Sequence, residues 1–214
     1  MTNYYQRPEV SNSSLTYFRD MIFPSIYYET EQTFLRMGIL LDCMISDPEK
    51  VNYFKLTCDG NEYSREEFEQ AGQMKKAFMK DAICNGLLEV DHEFQKVMVK
   101  PSHKFDYDIP FSLPIRCKWD VWLTKLLFGA DIKTTTATSQ KQFEEACRFF
   151  DYDRQRFFYM EVAGCNRDMI VGISKENFKV FKIPVRRGDD FWKSGRDKCL
   201  ELAFRYWLMF GNTI

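Results

Sequence analysis

The stretch Ala130-Asp131-Ile132-Lys133-Thr134-Thr135 is the centre of the segment that decides the fold, residues 116–159. An apolar run at residues 126–128 comes before it, as expected for a strand. Side chains alternate between the two faces of a strand, so Asp131 and Lys133 should share one face and Ile132 should point to the other. A strand that ends in a carboxylate and an ammonium on one face is a candidate site.

A second apolar run, Ile115 to Leu123, precedes this stretch and carries Asp120 in its middle. If the two runs form a hairpin, Asp120 and Asp131 lie side by side near Lys133. Two neighbouring carboxylates repel each other, so they call for a divalent cation or a raised pKa. Carboxylate oxygens suit magnesium or manganese. The two runs therefore indicate a candidate Mg²⁺ or Mn²⁺ site.

These residues resemble a known motif. Asp120 followed by Asp131-Ile132-Lys133 resembles the Asp…(Asp/Glu)-x-Lys motif of the PD-(D/E)XK nuclease superfamily. Thr134-Thr135 follows the lysine, and Tyr152 and the run Gln155-Arg-Phe-Phe-Tyr159 come later in the chain. The whole pattern is similar to the "DxKTT … Y..QxxxY" run of RecB-like exonucleases, in particular the exodeoxyribonuclease VIII and phage-type exonuclease group.

The resemblance implies a role for each residue of the motif. Asp120 and Asp131 would be direct metal ligands, and the backbone carbonyl of Ile132 would be a further oxygen ligand. Lys133 would orient or help to deprotonate the attacking water and would hold the scissile phosphate. Together, these roles would allow the protein to hydrolyse a phosphodiester bond.

Gln155 and Tyr159 lie one turn apart on a helix predicted from Tyr152 to about Val162, which Gly164 would end. The residues alone predict that Tyr159 packs in the core and that Gln155 is exposed. The resemblance implies instead that Gln155 and Tyr159 position the substrate or the strands of the site.

A third carboxylate, Asp42, lies on a helix predicted from about Glu29 to Ile45. The segment from Gly38 to Asp42, followed by Pro48-Glu49, resembles the "G-x-x-x-His … P-E" helix of the same exonucleases, in which the histidine is a metal ligand. This chain has aspartate at that position. Because aspartate binds Mg²⁺ or Mn²⁺ through oxygen, the role can survive with an altered metal preference, or it can be lost.

The remaining patterns predict helices and strands in a definite order. A short helix capped by residues 11–14 comes first, followed by the helix of Asp42 and by a helix from about 65 to 81 with a Ser64/Glu67 capping box. Gly86 would close a shorter continuation. Further elements are strands at about 94–99, 115–123, 126–133, 169–173 and 180–185, a loop at 101–110, and helices at about 140–150, 152–162 and 189–210. The helix at 29–45 should bury Phe34, Met37, Leu41, Met44 and Ile45, and the helix at 140–150 should bury Phe143, Ala146, Cys147 and Phe150.

This order predicts an α/β fold with a central mixed, mostly antiparallel sheet of about five strands flanked by helices. It agrees with the restriction-endonuclease-like core that the resemblance implies. The chain of 214 residues is expected to be a single domain, with a mainly helical part at 1–110 and a catalytic core at 111–214.

Composition narrows the class of protein. The chain is 45% hydrophobic and 29% charged, with no membrane-length apolar run and no signal peptide, so we expect a cytoplasmic globular protein. Its seven cysteines form no CxxC pair, which argues against disulfides, zinc and the clustered cysteines of related iron–sulfur nucleases. The net charge is −1, but Lys175 to Lys198 is locally basic. That segment is either a rim for a phosphate backbone or an ordinary solvated face. By their charge, Arg154, Arg156 and Arg187 are further candidates to follow a phosphate backbone.

The expected function is a Mg²⁺- or Mn²⁺-dependent DNA exonuclease of phage or prophage recombination or repair. Related exonucleases often form rings, which implies a homo-oligomer, and a single-strand annealing or recombination protein is an expected partner. Two alternatives stay open. The same fold can bind DNA or a recombination partner without cutting, because Asp42 replaces the usual histidine. Alternatively, the carboxylates and Lys133 form a structural ion-pair network in a protein-interaction module.

Overall fold

The computed structural model describes residues 4–24 and 31–211, and for residues 31–34 it describes the backbone alone. The helices are α1 (Asn12–Ile22), α2 (Glu31–Ser46), α3 (Arg65–Lys80), α4 (Ala82–Glu89), α5 (Gln140–Phe149), α6 (Tyr152–Ala163) and α7 (Asp190–Phe210). The strands are β1 (Val51–Asn52), β2 (Thr57–Cys58), β3 (Asn61–Glu62), β4 (Glu93–Phe105), β5 (Phe111–Leu123), β6 (Phe128–Thr135), β7 (Arg167–Ser174) and β8 (Val180–Arg186).

The main sheet has five strands in the order β4-β5-β6-β7-β8. β6 and β7 are parallel, and the other three neighbouring pairs are antiparallel. Strands β1, β2 and β3 form a separate small antiparallel sheet. The predicted fold class, a mixed and mostly antiparallel five-stranded sheet flanked by helices, is confirmed.

Helices cover both faces of the main sheet and create two hydrophobic cores. One core combines residues of α2, α3 and α4 with side chains of β5, β6 and β7, among them Leu41, Phe78 and Val121. The other combines residues of α1, α5, α6 and α7 with the opposite face, including Trp119 and Phe158. The sheet is thus the middle layer of three, and a residue in it can face either helical layer.

Local sequence signals explain most helix ends. Ser11 caps α1, and Ser64 and Glu67 form the predicted capping box of α3. Gly164 ends α6 with a φ of +68°, a left-handed conformation that glycine adopts without strain. At Gly195 of α7 the backbone of α6 comes so close that a Cβ atom would clash with the Asp153 carbonyl. The last two helices therefore pack nearly backbone to backbone.

Several predicted boundaries are wrong. Residues 101–105 belong to β4 rather than to a loop, because they pair with the start of β5. Leu126 and Leu127 lie in an exposed turn and not in a strand, and β6 begins only at Phe128. Gly86 lies inside α4, and Phe150 is exposed rather than buried.

Two further sequence predictions concern positions that the structure does not describe. The start of α2 at Glu29 and the burial of Phe34 lie outside the described residues and side chains. All seven cysteines are free and buried. Within residues 4–24 and 31–211, no helix combines the length and apolar character that a membrane crossing needs.

Candidate active site

The candidate site lies where the pairing of β5 and β6 ends. Only three residue pairs join these strands, from Leu123↔Phe128 to Val121↔Ala130. The next residue of β5, Asp120, accepts a hydrogen bond from the backbone N–H of Ile132 through Oδ2 at 2.7 Å. A side-chain carboxylate therefore replaces the strand carbonyl that would otherwise continue the ladder. We call this place the β5–β6 gap.

The same hydrogen bond fixes the direction of the Ile132 carbonyl. The N–H and C=O of one strand residue point to the same side of the strand. Because the Ile132 N–H points to Asp120, the Ile132 C=O also points into the β5–β6 gap. The side chain of Ile132 packs against the core of α2, α3 and α4, whereas Asp131 and Lys133 contact each other. The predicted alternation along β6 is confirmed.

Asp131 is buried, with 2% of its surface exposed, and is held by two cations. Its Oδ1 accepts a hydrogen bond from Arg156 Nη2 at 2.8 Å, and its Oδ2 forms an ion pair with Lys133 Nζ. Arg156 also contacts Asp168 Oδ2 through Nη1 at 3.3 Å. The side chain of Arg156 is completely buried between these two acids. A buried Asp131–Arg156–Asp168 triad thus fixes Asp131 beneath the gap.

Charge interactions give the two carboxylates of the gap opposite pKa shifts. Burial and the negative charge of Asp131 raise the pKa of Asp120 to about 7, although Lys133 opposes this. Burial would also raise the pKa of Asp131, but Arg156 and Lys133 outweigh it and keep that pKa low. Burial alone would lower the pKa of Lys133, but Asp131 and other acidic groups raise it. Near neutral pH, Asp131 and Lys133 are charged, and Asp120 is the carboxyl group that lacks charge compensation.

Asp42 approaches the same place from α2. Its pKa is raised by burial, with contributions from Asp47 and Asp131, while Lys118 opposes the shift. Both carboxylate oxygens of Asp42 accept hydrogen bonds from Gln95 Nε2, each at 3.0 Å. Gln95 lies between Phe94 and Lys96, which pair with Val121 and Trp119 of β5, and has a φ of +52°. The structure therefore brings Asp42 into the electrostatic field of the site but holds it through Gln95.

Helix α6 supplies the other side of the site. The ring of Tyr152 lies 4.9 Å from Lys133 Nζ. Gln155 follows one turn later and is partly buried, and its Oε1 has no hydrogen-bond partner among the described residues. Tyr159 is buried, 4.5 Å beneath the guanidinium of Arg156 and 5.2 Å from the ring of Trp119. Of the two predicted residues of α6, Gln155 is the less buried and has an unpartnered oxygen, and Tyr159 supports Arg156.

Three residues of the site were not predicted from the sequence: Arg156, Asp168 and Gln95. Arg156 lies inside the Gln-x-x-x-Tyr run, and its charge was interpreted as a solvent-facing contact to a phosphate backbone. Asp168 immediately precedes a buried apolar run, and an acid there is a signal for a buried ion pair. Gln95 carries no signal, because its role depends on a left-handed backbone conformation within β4.

The positive charge that the sequence concentrates near Lys175 to Lys198 is partly engaged in ion pairs. Arg154 and Arg156 are buried, with 2% and 0% of their surfaces exposed, so neither can follow a nucleic-acid backbone. Arg187 contacts Glu161 at 2.6 Å. Within Lys175 to Lys198, Lys182 contacts Asp81 and Lys198 contacts acids of α6 and its preceding turn. Part of the local positive charge is therefore neutralised, whereas Lys179 and Arg186 are exposed, and both interpretations of the segment stay open.

The residues of the β5–β6 gap suit a divalent cation in charge and in donor chemistry. Asp120, Asp131 and the Ile132 carbonyl present hard oxygen atoms, and Asp42 adds a third carboxylate nearby. The raised pKa of Asp120 marks a negative charge that a cation would stabilise. In the described part of the chain, however, no three acidic, histidine or cysteine side chains are close enough to form a metal site as they stand. Binding would require these carboxylates to move closer together.

The fold and the gap define the class of protein. A five-stranded mixed sheet between two helical layers, with Asp…Asp-x-Lys where two strands separate, is the restriction-endonuclease-like arrangement that the sequence resembles. The family model described as PDDEXK-like domain of unknown function (DUF3799) matches residues 25–210, and the chain belongs to this family.

Solved structures add a likeness of fold. A provisionally assigned exonuclease from Eubacterium rectale is 15% identical over 100% of this chain and 86% of its own, with a TM-score of 0.63. A phage-related exonuclease from Haemophilus somnus is 9% identical over 86% of this chain and 85% of its own, with a TM-score of 0.41. The first of these likenesses supports the fold, and we draw nothing from the second. No curated protein sequence matches the chain.

Proposed function

We propose that this protein is a Mg²⁺- or Mn²⁺-dependent deoxyribonuclease, an exonuclease of the phage or prophage recombination and repair type. The observation that carries the proposal is the convergence of Asp120, Asp131 and Lys133 at the β5–β6 gap. Membership of the PDDEXK-like family supports it. The exonuclease description of the Eubacterium rectale protein is consistent with it.

Each carboxylate has a distinct task in this proposal. Asp120, Asp131 and the Ile132 carbonyl would hold the cation, with Asp42 as a further oxygen ligand. A divalent ion, when bound, activates the attacking water and neutralises the charge that builds on the phosphate. Asp120 is suited to this task because its ionised form is the one that burial and Asp131 disfavour. Asp131 is suited because the contact with Arg156 fixes one of its oxygens.

Lys133 would act on the phosphate and on the attacking water. Its ammonium stays charged because Asp131 lies against it, and it is 20% exposed at the gap. An ammonium there can hold a non-bridging phosphate oxygen and orient a water molecule for attack in line with the leaving oxygen. Tyr152 limits the directions in which the Lys133 side chain can turn.

The residues of α6 would position the substrate and the site. Gln155 lies one turn beyond Tyr152 and offers an amide whose oxygen is unpaired among the described residues. Tyr159 would act through Arg156, since its ring lies beneath that guanidinium and is buried. Tyr159 is therefore a positioning residue in this proposal.

A protein that binds DNA without cutting it is the second candidate function. The observation that favours it is that both carboxylates already have partners. Gln95 donates to Asp42, and Arg156 and Lys133 contact Asp131. If these contacts persist on DNA, the carboxylates are not released for a cation. A homo-oligomer, a single-strand annealing or recombination partner and a cytoplasmic location remain predictions from the sequence.

One cleavage experiment tests the proposal and separates the candidates. The purified chain is incubated with end-labelled linear duplex, circular duplex and single-stranded DNA, with Mg²⁺, with Mn²⁺ or with EDTA. We expect degradation of the linear substrates that requires the metal and leaves circular duplex intact. DNA binding without cleavage under either metal would support the second candidate, and cleavage in EDTA would contradict the proposed chemistry.

Two variants identify the site in the same experiment. Lys133→Ala should reduce the rate by about a hundredfold or more, the usual range for a group that acts on a proton in transfer. Asp131→Asn is preferable to Asp131→Ala, because the amide keeps the shape between Arg156 and Lys133. Lys141→Ala, on the exposed face of α5 with 86% side-chain exposure, is the matched control and should cleave like the wild type. Equal cleavage by all three variants would remove the assignment.

A further inference from the structure

Two phenylalanines next to the site are exposed without an evident structural reason. Phe149 ends α5 and Phe150 follows it, and 77% and 59% of their surfaces are exposed. Neither belongs to the two hydrophobic cores of the described chain. An exposed pair of large aromatic side chains is unfavourable in water, and such a patch usually marks a surface that binds something.

The two rings continue directly to the catalytic lysine of the proposed site. The Phe149 and Phe150 rings meet edge to face at 5.1 Å, and the Phe150 ring is stacked on Tyr152 at 5.9 Å with an interplanar angle of 30°. The Tyr152 ring in turn lies 4.9 Å from Lys133 Nζ. A continuous aromatic row, Phe149-Phe150-Tyr152, thus leads from solvent to the β5–β6 gap.

Two cationic side chains hold the turn that carries this row. Asp151, between Phe150 and Tyr152, has a φ of +54° and binds Arg19 at 2.6 Å and Lys198 at 2.8 Å. Lys198 also donates to the carbonyl of Arg148 at 3.3 Å. Two side chains from α1 and α7 therefore hold the turn, and Asp151 and Asp153 match their charge. Arg148, immediately before Phe149, is exposed, forms no ion pair within the described residues and places a positive group beside the rings.

Aromatic rings beside positive groups are the combination that binds single-stranded nucleic acid. Bases stack on the rings irrespective of sequence, and positive groups such as Arg148 and Lys133 attract the phosphates. Another protein would be expected to bury such rings in a wider apolar patch, but here the row leads to a lysine and two acids. Continuity with the gap therefore favours a nucleic-acid strand over a protein surface as the occupant.

We propose that Phe149 and Phe150 form a stacking platform for the bases of a single DNA strand whose phosphate lies at Lys133. This inference rests on the proposed function for the identity of the strand. It adds a specificity that the site itself does not have, because stacking requires unpaired bases. The platform would favour single-stranded or frayed ends over an intact duplex.

Binding in EDTA tests the platform without any need for cleavage. Fluorescence anisotropy is measured with a short labelled single strand, with the same strand carrying abasic sites, and with a blunt duplex. The wild type should prefer the strand with bases. The double variant F149A/F150A should bind that strand about 5- to 150-fold more weakly and should no longer distinguish it from the abasic strand.

Control variants keep the result interpretable. F149Y/F150Y retains both rings and should bind like the wild type. Leu208→Ala removes another exposed apolar side chain, 61% exposed near the end of α7, and should change nothing. Because Phe149 and Phe150 are exposed, their replacement should leave the circular dichroism spectrum and the melting temperature unchanged.

Three DNA-binding results would each overturn the proposal: equal binding by F149A/F150A and the wild type, no preference of the wild type for bases over abasic sites, or no binding of single strands. A change in self-association by sedimentation velocity with unchanged DNA binding would also overturn it and would assign the rings to an interface between copies. Failure of the proposed nuclease function would appear differently, as intact base-dependent binding without cleavage when metal is added.

Discussion

Replacement of Arg156 by methionine should be the most destabilising single change in the site. Arg156 is fully buried, with Asp131 at 2.8 Å and Asp168 at 3.3 Å. Removal of one partner from a buried ion pair costs about 3–5 kcal/mol, because the remaining charge is left uncompensated. Methionine keeps an unbranched stem but lacks the guanidinium, which lies 5.2 Å from the centre of the Trp119 ring and 4.5 Å from that of Tyr159, so these two contacts are lost as well.

The structure places the expected loss near the lower end of that range. Asp131 keeps its contact with Lys133, and Asp168 already has a pKa raised to about 7, chiefly by burial, so it can take up a proton at modest cost. We therefore expect a loss of roughly 3 kcal/mol in the free energy of unfolding. For a chain of this size, that corresponds to a melting temperature lower by roughly 6–12 °C.

Urea unfolding followed by circular dichroism measures this loss, and an unchanged slope with denaturant shows that the unfolded state is the same. Arg205→Met is the matched control, since Arg205 is exposed and pairs with Glu201 on the surface of α7. It should change the stability little. The double variant R156M/D168N should recover part of the loss, since it removes one of the unpaired acids. A loss below about 1 kcal/mol for Arg156→Met would show that the triad does not hold the site together.

Three other expectations follow from contacts of Asp168, Asp42 and Gly195. Burial raises the pKa of Asp168 from its usual 3.8 to about 7, so the folded state holds a proton that the unfolded state releases. The stability from this group is therefore lost as pH rises from about 4 to about 7. The difference in unfolding free energy between the wild type and Asp168→Asn should change with pH across that window, and a constant difference would contradict this. Asp42→His replaces a proposed oxygen ligand with an imidazole, which suits softer ions than Mg²⁺. The ratio of the cleavage rate with Mn²⁺ to the rate with Mg²⁺ should therefore rise, and an unchanged ratio would place Asp42 outside the metal site. Gly195→Ala forces a methyl group against the Asp153 carbonyl and should lower stability by about 1–3 kcal/mol in thermal unfolding, and an unaltered melting temperature would show that α7 can shift away from α6.

Features that depend on local periodicity and capping could be predicted from the sequence. The order of helices and strands, the capping box of Ser64 and Glu67, the end of α6 at Gly164 and the shared face of Asp131 and Lys133 all arise from neighbouring residues. The five-stranded sheet follows from that order together with the motif. The convergence of Asp120 with Asp131 depended only on a hairpin, which is itself a local structure.

Features that depend on tertiary contacts could not be predicted in this way. The charge of Arg156 suggested solvent exposure, but two acids from different strands stabilise it in the interior. Phe150 fits the apolar period of α5, yet the helix ends at Phe149, and the turn at Asp151 directs its ring outward. The link between Asp42 and Gln95 joins residues from two elements through an unusual backbone angle, which no sequence pattern shows.

The β5–β6 gap lies between two helical layers that otherwise have separate cores. Asp42 reaches it from one layer and Arg156 from the other. A molecule bound in the gap would therefore tie the two layers together, and local opening of α2 would no longer be independent of α6. With a ligand bound in the gap, the two helices would open together, so the local unfolding of the protein would be more cooperative than without the ligand. Amide hydrogen exchange should then slow in both helices at once.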